Sequence, residues 1–188
     1  PLMALKRPYK FMTPMLMFNA NVLDAAHNAG VKRFLYTSSV GVYNQKGIMK
    51  EEDVWKTFPS KNDWYAGWAK RIGELSLEAL INSGSKMKTT IVRPANVFGP
   101  YDNFDHKTGM VIPSLIKKFY NNSKKVDVWG DGTNLRDFIY SKDVARAMLY
   151  IMYKSPTQPI NLGSGTGISI KNLVNKINKI FQNKKKVF

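Results

Sequence analysis

A chain of 188 residues makes one domain, or at most one and a half, and its 44% apolar and 12% aromatic content can bury a core. It contains no cysteine and only two histidines, His27 and His106, which excludes a disulfide framework, a thiol nucleophile and a cysteine- or histidine-rich metal site. The net charge of +16 raises a nucleic-acid partner, but the lysines are scattered from Lys6 to Lys186 and arginines are few, so the expectation is a solvated basic surface that attracts small polyanions, with no nucleic acid and no membrane as partner. No apolar run is long enough to span a bilayer. The chain opens on Pro1 without a leader pattern, so the reading expects a fragment whose true start lies upstream.

Apolar periodicity predicts a helix from Phe11 to Asn28, stopped at Gly30, with Pro14 fitting only in its first turn. Arg33–Thr37 reads as a strand that ends in Ser38-Ser39, and residues 44–62 as a polar loop. Asn62 or Asp63 can cap a second helix running to about Asn82, with Gly84 as its stop. Thr89–Arg93 is a β-branched strand ended by Pro94. Residues 95–137 read as loop-rich, with Gly-Pro and Gly-Asp-Gly turn signals. A helix follows from near Lys142 to about Tyr153, then a strand at Pro159–Leu162 and a final amphipathic helix from Ser169. The alternation of helix and strand predicts an α/β fold, a parallel sheet with covering helices, whose site lies at the carboxyl ends of the strands. Thr37, Ser38, Ser39 and Asn96 cluster at two such ends.

Five segments, in order, carry a resemblance. They are Tyr36-Thr37-Ser38-Ser39-Val40-Gly41-Val42-Tyr43, the helix holding Lys70, Arg93-Pro94-Ala95-Asn96-Val97-Phe98-Gly99-Pro100, Gly130-Asp131-Gly132 through Arg136-Asp137-Phe138, and Asn161-Leu162-Gly163-Ser164-Gly165. Together they resemble the extended short-chain dehydrogenases of the NAD-dependent epimerase/dehydratase family. The nearest likeness is to GDP-L-fucose synthase-like nucleotide-sugar epimerase/reductases, through Gly99–Phe104 and Val111-Ile112-Pro113. The family's GxxGxxG dinucleotide turn is absent, and Gly163-x-Gly165-x-Gly167 follows a late strand, the wrong context for it. The resemblance therefore implies a partial Rossmann-type sheet. Residues 1–94 would be the C-terminal part of the dinucleotide-binding domain. Residues 95–188 would be mainly a nucleotide-sugar lobe, with 138–162 returning to the Rossmann sheet.

The resemblance also implies chemistry: a tyrosinate takes a hydroxyl proton while hydride passes to NAD or NADP, and a lysine lowers the tyrosine pKa by its charge. Ser39, Tyr65 and Lys70 are the implied catalytic residues. The family spacing of tyrosine and lysine is four, and Ala66 stands there. Tyr65 is five before Lys70, which on a helix turns it about 140° away instead of about 40°. A π-bulge, or a non-helical first turn, would restore the alignment. Asn21, Thr37, Ser38, Lys70, Pro94, Asn96 and Val97 are the implied cofactor contacts. Asn96, Lys118 on the helix after Pro113, Trp129 and Arg136 are the implied substrate contacts. Each has a plain structural alternative: a strand-end serine bonding backbone, a solvated Lys118, a core Trp129, an Arg136 paired with Asp137 or Asp131.

Neighbouring positions narrow the reaction. Val40 and Gly41 cannot transfer the protons a dehydratase moves, and Gly41 and Met110 stand where fucose synthases carry an epimerising cysteine and histidine. His106 reads as a surface residue. Hydride chemistry at one sugar carbon, C4, remains: 4-epimerisation or ketone reduction of a nucleotide-diphosphate sugar. The resemblance implies a cytoplasmic homodimer formed by the helices at 11–29 and 63–82. The alternative is a non-catalytic nucleotide-sugar binder that lost the tyrosine and the glycine turn.

Overall fold

The computed structural model describes residues 6–45, 47–105, 108–121, 125–181 and 186–187. The chain divides into two compact units, Pro1–Ala95 with Lys142–Leu162, and Asn96–Ser141 with Gly163–Phe188. The architecture is α/β.

The first unit is a three-stranded parallel sheet. β2 (Lys88–Pro94) is central, between β1 (Arg33–Thr37) and β6 (Ile160–Leu162). Thr37 lies opposite Val92, and Pro94 opposite Leu162, so all three strands end at one edge. Proline at the end of a central strand removes a ladder donor only where the ladder stops. Helices α1 (Pro8–Asn28) and α2 (Trp64–Asn82) pack on each other, and Leu23, Tyr36, Leu77 and Met87 form the core between them and the sheet. Both helices end alike. Gly30 (φ +69°) and Gly84 (φ +86°) take the left-handed position that an L side chain disfavours. Their N–H groups reach His27 and Ile81, while those of Val31 and Ser85 reach Ala26 and Leu80, so carbonyls of the last turn are satisfied.

Helix α4 (Ser141–Lys154) is tied to the start of β1 by Arg33. Its guanidinium donates to the carbonyls of Met152 at 3.0 Å and Tyr153 at 3.2 Å, and to the Ser155 hydroxyl. A cation at a helix C-terminus is favoured by the dipole as well as by the hydrogen bonds.

The second unit has β5 (Leu135–Tyr140) in the centre, parallel to β3 (Asn96–Phe98) and antiparallel to β7 (Gly167–Ser169). Helices α3 (Val111–Tyr120) and α5 (Ile170–Ile180) share a core of Ile112, Leu115, Phe119, Leu173, Val174 and Ile177, to which Val126 adds. Ser169 caps α5 by accepting the Asn172 N–H at 3.1 Å. The short strands β4 (Lys125–Val126) and β8 (Lys186–Val187) pair in parallel.

Two expectations change. The first helix begins with Pro8 in its first turn, where the missing N–H costs nothing, and Pro14 lies in the helix interior. The stretch 95–137, read as loop-rich, also holds β3, α3, β4 and the start of β5 between its turns. Two- and three-residue strands are too short for an alternating pattern to register.

Candidate active site

Where β1 ends, four consecutive residues have four different surroundings. Tyr36 is buried beneath α2, and its hydroxyl reaches the Lys70 carbonyl at 3.4 Å. Burial, reinforced by the nearby Glu74 charge, raises the Tyr36 pKa far above the usual phenol range, so this phenol stays neutral. Thr37 is exposed, and its carbonyl accepts the Lys70 ammonium at 2.8 Å. The same ammonium stands 5.2 Å from the centre of the Tyr36 ring. Burial lowers the Lys70 pKa, and the Glu74 carboxylate one turn further along α2 opposes that shift. Ser38 is buried and donates its hydroxyl to Glu74 Oε1 at 2.5 Å, so only its backbone is left for a ligand. Ser39 is half-buried. Its Oγ accepts the Gly41 N–H at 3.1 Å at the start of a 3₁₀ turn, Val40–Val42, and its hydroxyl proton has no acceptor among the described residues. That proton can be donated to a reacting oxygen.

Below these groups lies a buried polar network. Glu74 and Arg93, each almost wholly buried, form a two-pronged pair at 2.7 and 3.0 Å. Arg93 also donates to the Tyr43 hydroxyl at 2.7 Å and to the Glu51 carbonyl at 3.0 Å. Tyr43 donates its hydroxyl hydrogen bond to Asn161 Oδ1 at 2.8 Å. The network joins the carboxyl ends of β1, β2 and β6 to α2. A planar guanidinium suits this bidentate role. Arg71, also buried, holds the carbonyls of Val42 and Thr57 and fixes the segment after Ser39.

Tyr65 is 41% exposed in the first turn of α2. The helix is regular α from Trp64 to Asn82, so neither a π-bulge nor a non-helical first turn brings Tyr65 onto the Lys70 face. Ala66 occupies that face. Asn21 is exposed on α1, whereas Asn19, two residues earlier, is buried and donates to the Ala69 carbonyl at 3.1 Å. Val40 and Gly41 line the 3₁₀ turn and carry no titratable group. His106 lies outside the described residues.

In the second unit, Asn96 sits on β3 and donates its amide to the Asp137 carbonyl at 2.9 Å. Val97 and Trp129 are exposed, Trp129 at 80%, so this indole is not a core residue. Lys118, on α3, donates to the Asp127 carbonyl at 2.7 Å. Arg136 donates to the Leu135 carbonyl at 2.9 Å and forms no ion pair with Asp137 or Asp131. Met110 is an exposed residue preceding α3.

A sequence profile described as the NAD dependent epimerase/dehydratase family matches residues 3–163. The chain belongs to this family. The GDP-L-fucose synthase of Sinorhizobium fredii is 30% identical over 181 residues, covering 92% of this chain and 57% of that protein. The GDP-L-fucose synthase of Escherichia coli is 30% identical over 190 residues, covering 92% and 59%. The NADP-bound crystal structure of a GDP-L-fucose synthetase from Naegleria fowleri superposes with a TM-score of 0.86 at 29% identity, covering 95% of this chain and 57% of that one. The chain thus spans somewhat under three fifths of these relatives.

For this epimerase/dehydratase chain, the sequence located the strand-end serines and Lys70, but not what fixes them. Tyr43, Arg93 and Asn161 stand in segments that carry the resemblance, but only the pairing of strand ends shows them facing inward with Glu74. The one available signal was Glu74 four residues after Lys70 on an otherwise apolar helix face.

Proposed function

We propose that the protein represented by this chain is an NAD(P)-dependent nucleotide-sugar epimerase or reductase that acts by hydride transfer at one sugar carbon, C4. One observation carries the reading: a half-buried lysine ammonium is fixed to the Thr37 carbonyl at the end of a parallel strand at 2.8 Å, and two residues on stands Ser39, whose hydroxyl proton has no acceptor among the described residues. Family membership supports it.

The first unit's residues fit a nicotinamide nucleotide at its ribose. Lys70 uses one of three N–H donors on Thr37 and keeps two for ribose hydroxyls. Thr37, the Ser38 backbone and Pro94 border the same strand ends, and Asn21, Asn96 and Val97 complete the assigned contacts. When bound, the nicotinamide accepts or supplies the hydride. Ser39 donates a hydrogen bond to the reacting sugar oxygen, where charge develops. Tyr65, the only phenol on α2, is assigned the proton transfer from its own position in the first turn, off the Lys70 face. Arg136 and Lys118 are assigned to the diphosphate and Trp129 to the nucleotide base, since a guanidinium matches paired phosphate oxygens and an exposed indole offers a stacking face. The reading includes a cytoplasmic homodimer. Exposed apolar side chains on α1 and α2, Met17, Phe18, Leu75 and Ile81 among them, support a helix-to-helix interface.

The test for reduction is label transfer from NADPH deuterated at the nicotinamide into GDP-, UDP- or dTDP-linked 4-keto sugars, read by mass spectrometry, and the test for epimerisation is inversion at C4 of the corresponding 4-hydroxy sugars with NAD, read by NMR. Deuterium at a single sugar carbon, or inversion at C4, supports the proposal. Sugar binding with neither leaves the non-catalytic binder.

A further inference from the structure

Asp63 precedes α2 at the position where an aspartate ordinarily caps a helix, yet its carboxylate accepts no N–H of the first turn. Oδ2 is taken instead by the Gln45 amide at 2.6 Å and the Ser60 hydroxyl at 3.5 Å. Gln45 makes that bond from φ +58°, a left-handed conformation that a residue with a side chain adopts only where its surroundings hold it. Oδ1 accepts no hydrogen bond among the described residues. The carboxyl group borders the end of β1. A Cβ built on Gly41 would lie 3.4 Å from Ser39 Oγ, 3.6 Å from Asp63 Cβ and 3.7 Å from Asp63 Cγ, and glycine puts no side chain between them. Asp63 also lies seven residues before Lys70, and Ala66 four before it, spacings that keep both on the lysine's side of the helix.

A donor and an acceptor thus stand side by side unfilled. The Ser39 hydroxyl proton has no acceptor and Asp63 Oδ1 no donor among the described residues, and the two groups do not bond each other. A ligand that fills both presents an acceptor oxygen beside a hydroxyl, on adjacent atoms of one small molecule. A sugar with a carbonyl at C4 offers that pair on one side only: C3 bears a hydroxyl, whereas C5 bears the ring oxygen and C6. We propose that Asp63 is a specificity-determining residue that accepts the C3 hydroxyl while Ser39 holds the oxygen at C4. The proposal rests on the C4 reading given above, and it narrows the substrate class to nucleotide-linked 4-keto sugars that keep a free C3 hydroxyl. A half-buried carboxylate facing a sugar without that hydroxyl loses a charge-assisted bond, so the 3-deoxy sugar is the disfavoured ligand.

The test compares a GDP-linked 4-keto-6-deoxyhexose with its 3-deoxy counterpart, by calorimetric Kd without cofactor and by kcat/KM with NADPH. The wild type is expected to favour the 3-hydroxy sugar by about tenfold or more on both measures, the scale of a hydrogen bond to a charged group. Asp63→Ala is expected to bring the two sugars to within about threefold of each other by weakening the 3-hydroxy sugar alone, the 3-deoxy sugar being handled as by the wild type. A merely structural role weakens both sugars alike. Should Asp63→Ala not fold, Asp63→Asn keeps an oxygen for Gln45 and removes the charge, and the same fall in preference is expected. A wild type that binds neither sugar or both alike, a folded variant that keeps the preference, or equal losses for the two sugars overturns the proposal. A Kd preference that Asp63→Ala abolishes, with no turnover of either sugar by NADPH, upholds the Asp63 contact and removes the hydride reading.

Discussion

Lys70 and Glu74 show how one helix turn divides labour between an accessible charge and a buried one. Lys70 reaches out to the Thr37 carbonyl, while Glu74 lies inside the Arg93 and Ser38 bonds. Lys70→Met is expected to lower turnover by about a hundredfold or more, the usual scale for a group that stabilises a proton transfer, with little change in melting temperature. A full-rate Lys70→Met enzyme contradicts the assignment. Tyr65→Phe tests the proton carrier separately. Loss of about two orders of magnitude in kcat, with cofactor affinity retained, is expected; an unaltered kcat removes Tyr65 from the mechanism. Glu74→Ala strands the Arg93 charge inside the fold, and denaturant titration should show a loss of about 3–5 kcal/mol.

At the scale of elements, the helices on the sheet were legible because their signals are long and redundant. Gly30 and Gly84 announced the ends of α1 and α2, and both sit in the left-handed conformation that makes them stops. The spacing of Tyr65 and Lys70 was legible as an anomaly, and the unbroken helix over Trp64–Asn82 turns that anomaly into a geometric separation. The second unit was poorly legible: its sheet is built from short strands whose pairing is decided by partners dozens of residues away, such as Asn96 with Phe138. Likewise, Asp137 gave no hint in sequence that its carboxylate would hold residues 164 and 165. Pro14 interrupts the α1 ladder, so Pro14→Ala should raise stability by about 1–3 kcal/mol, limited by the roughly 3 kcal/mol cost of an interior helix proline. In the opposite sense, a Cβ on Gly73 would lie 2.1 Å from the Tyr36 hydroxyl. Gly73→Ala should therefore lower stability by about 1–3 kcal/mol, the cost of overpacking, as read from thermal melts.

For the molecule as a whole, the alkaline side is the vulnerable one. Burial raises the pKa of both Tyr36 and Tyr43 in the folded chain. A raised folded pKa means the folded state holds its proton more tightly, so the contribution is complete below the unfolded phenol value of about 10 and is lost as pH climbs beyond it. Lys70, with its lowered pKa, acts the other way up to about pH 10.4, one amine against two phenols. Unfolding free energies from denaturant titrations at pH 8 and upward should fall beyond about pH 10, by up to about 1.4 kcal/mol per pH unit for each phenol. Tyr36→Phe should flatten that decline; a decline of equal steepness shows that other groups cause it.

The first unit draws on two separated stretches, Pro1–Ala95 and Lys142–Leu162. During translation β1 and β2 leave the ribosome early, but the strand that covers the other edge of β2 ends only at Leu162. At 5–20 residues per second the nascent chain carries that open edge for roughly 3–14 s. Over the same interval Arg33 has no helix end to hold, since Met152 and Tyr153 are not yet made. An unpaired strand edge is a template for other chains, so this unit meets its greatest hazard of aggregation before its own synthesis is finished.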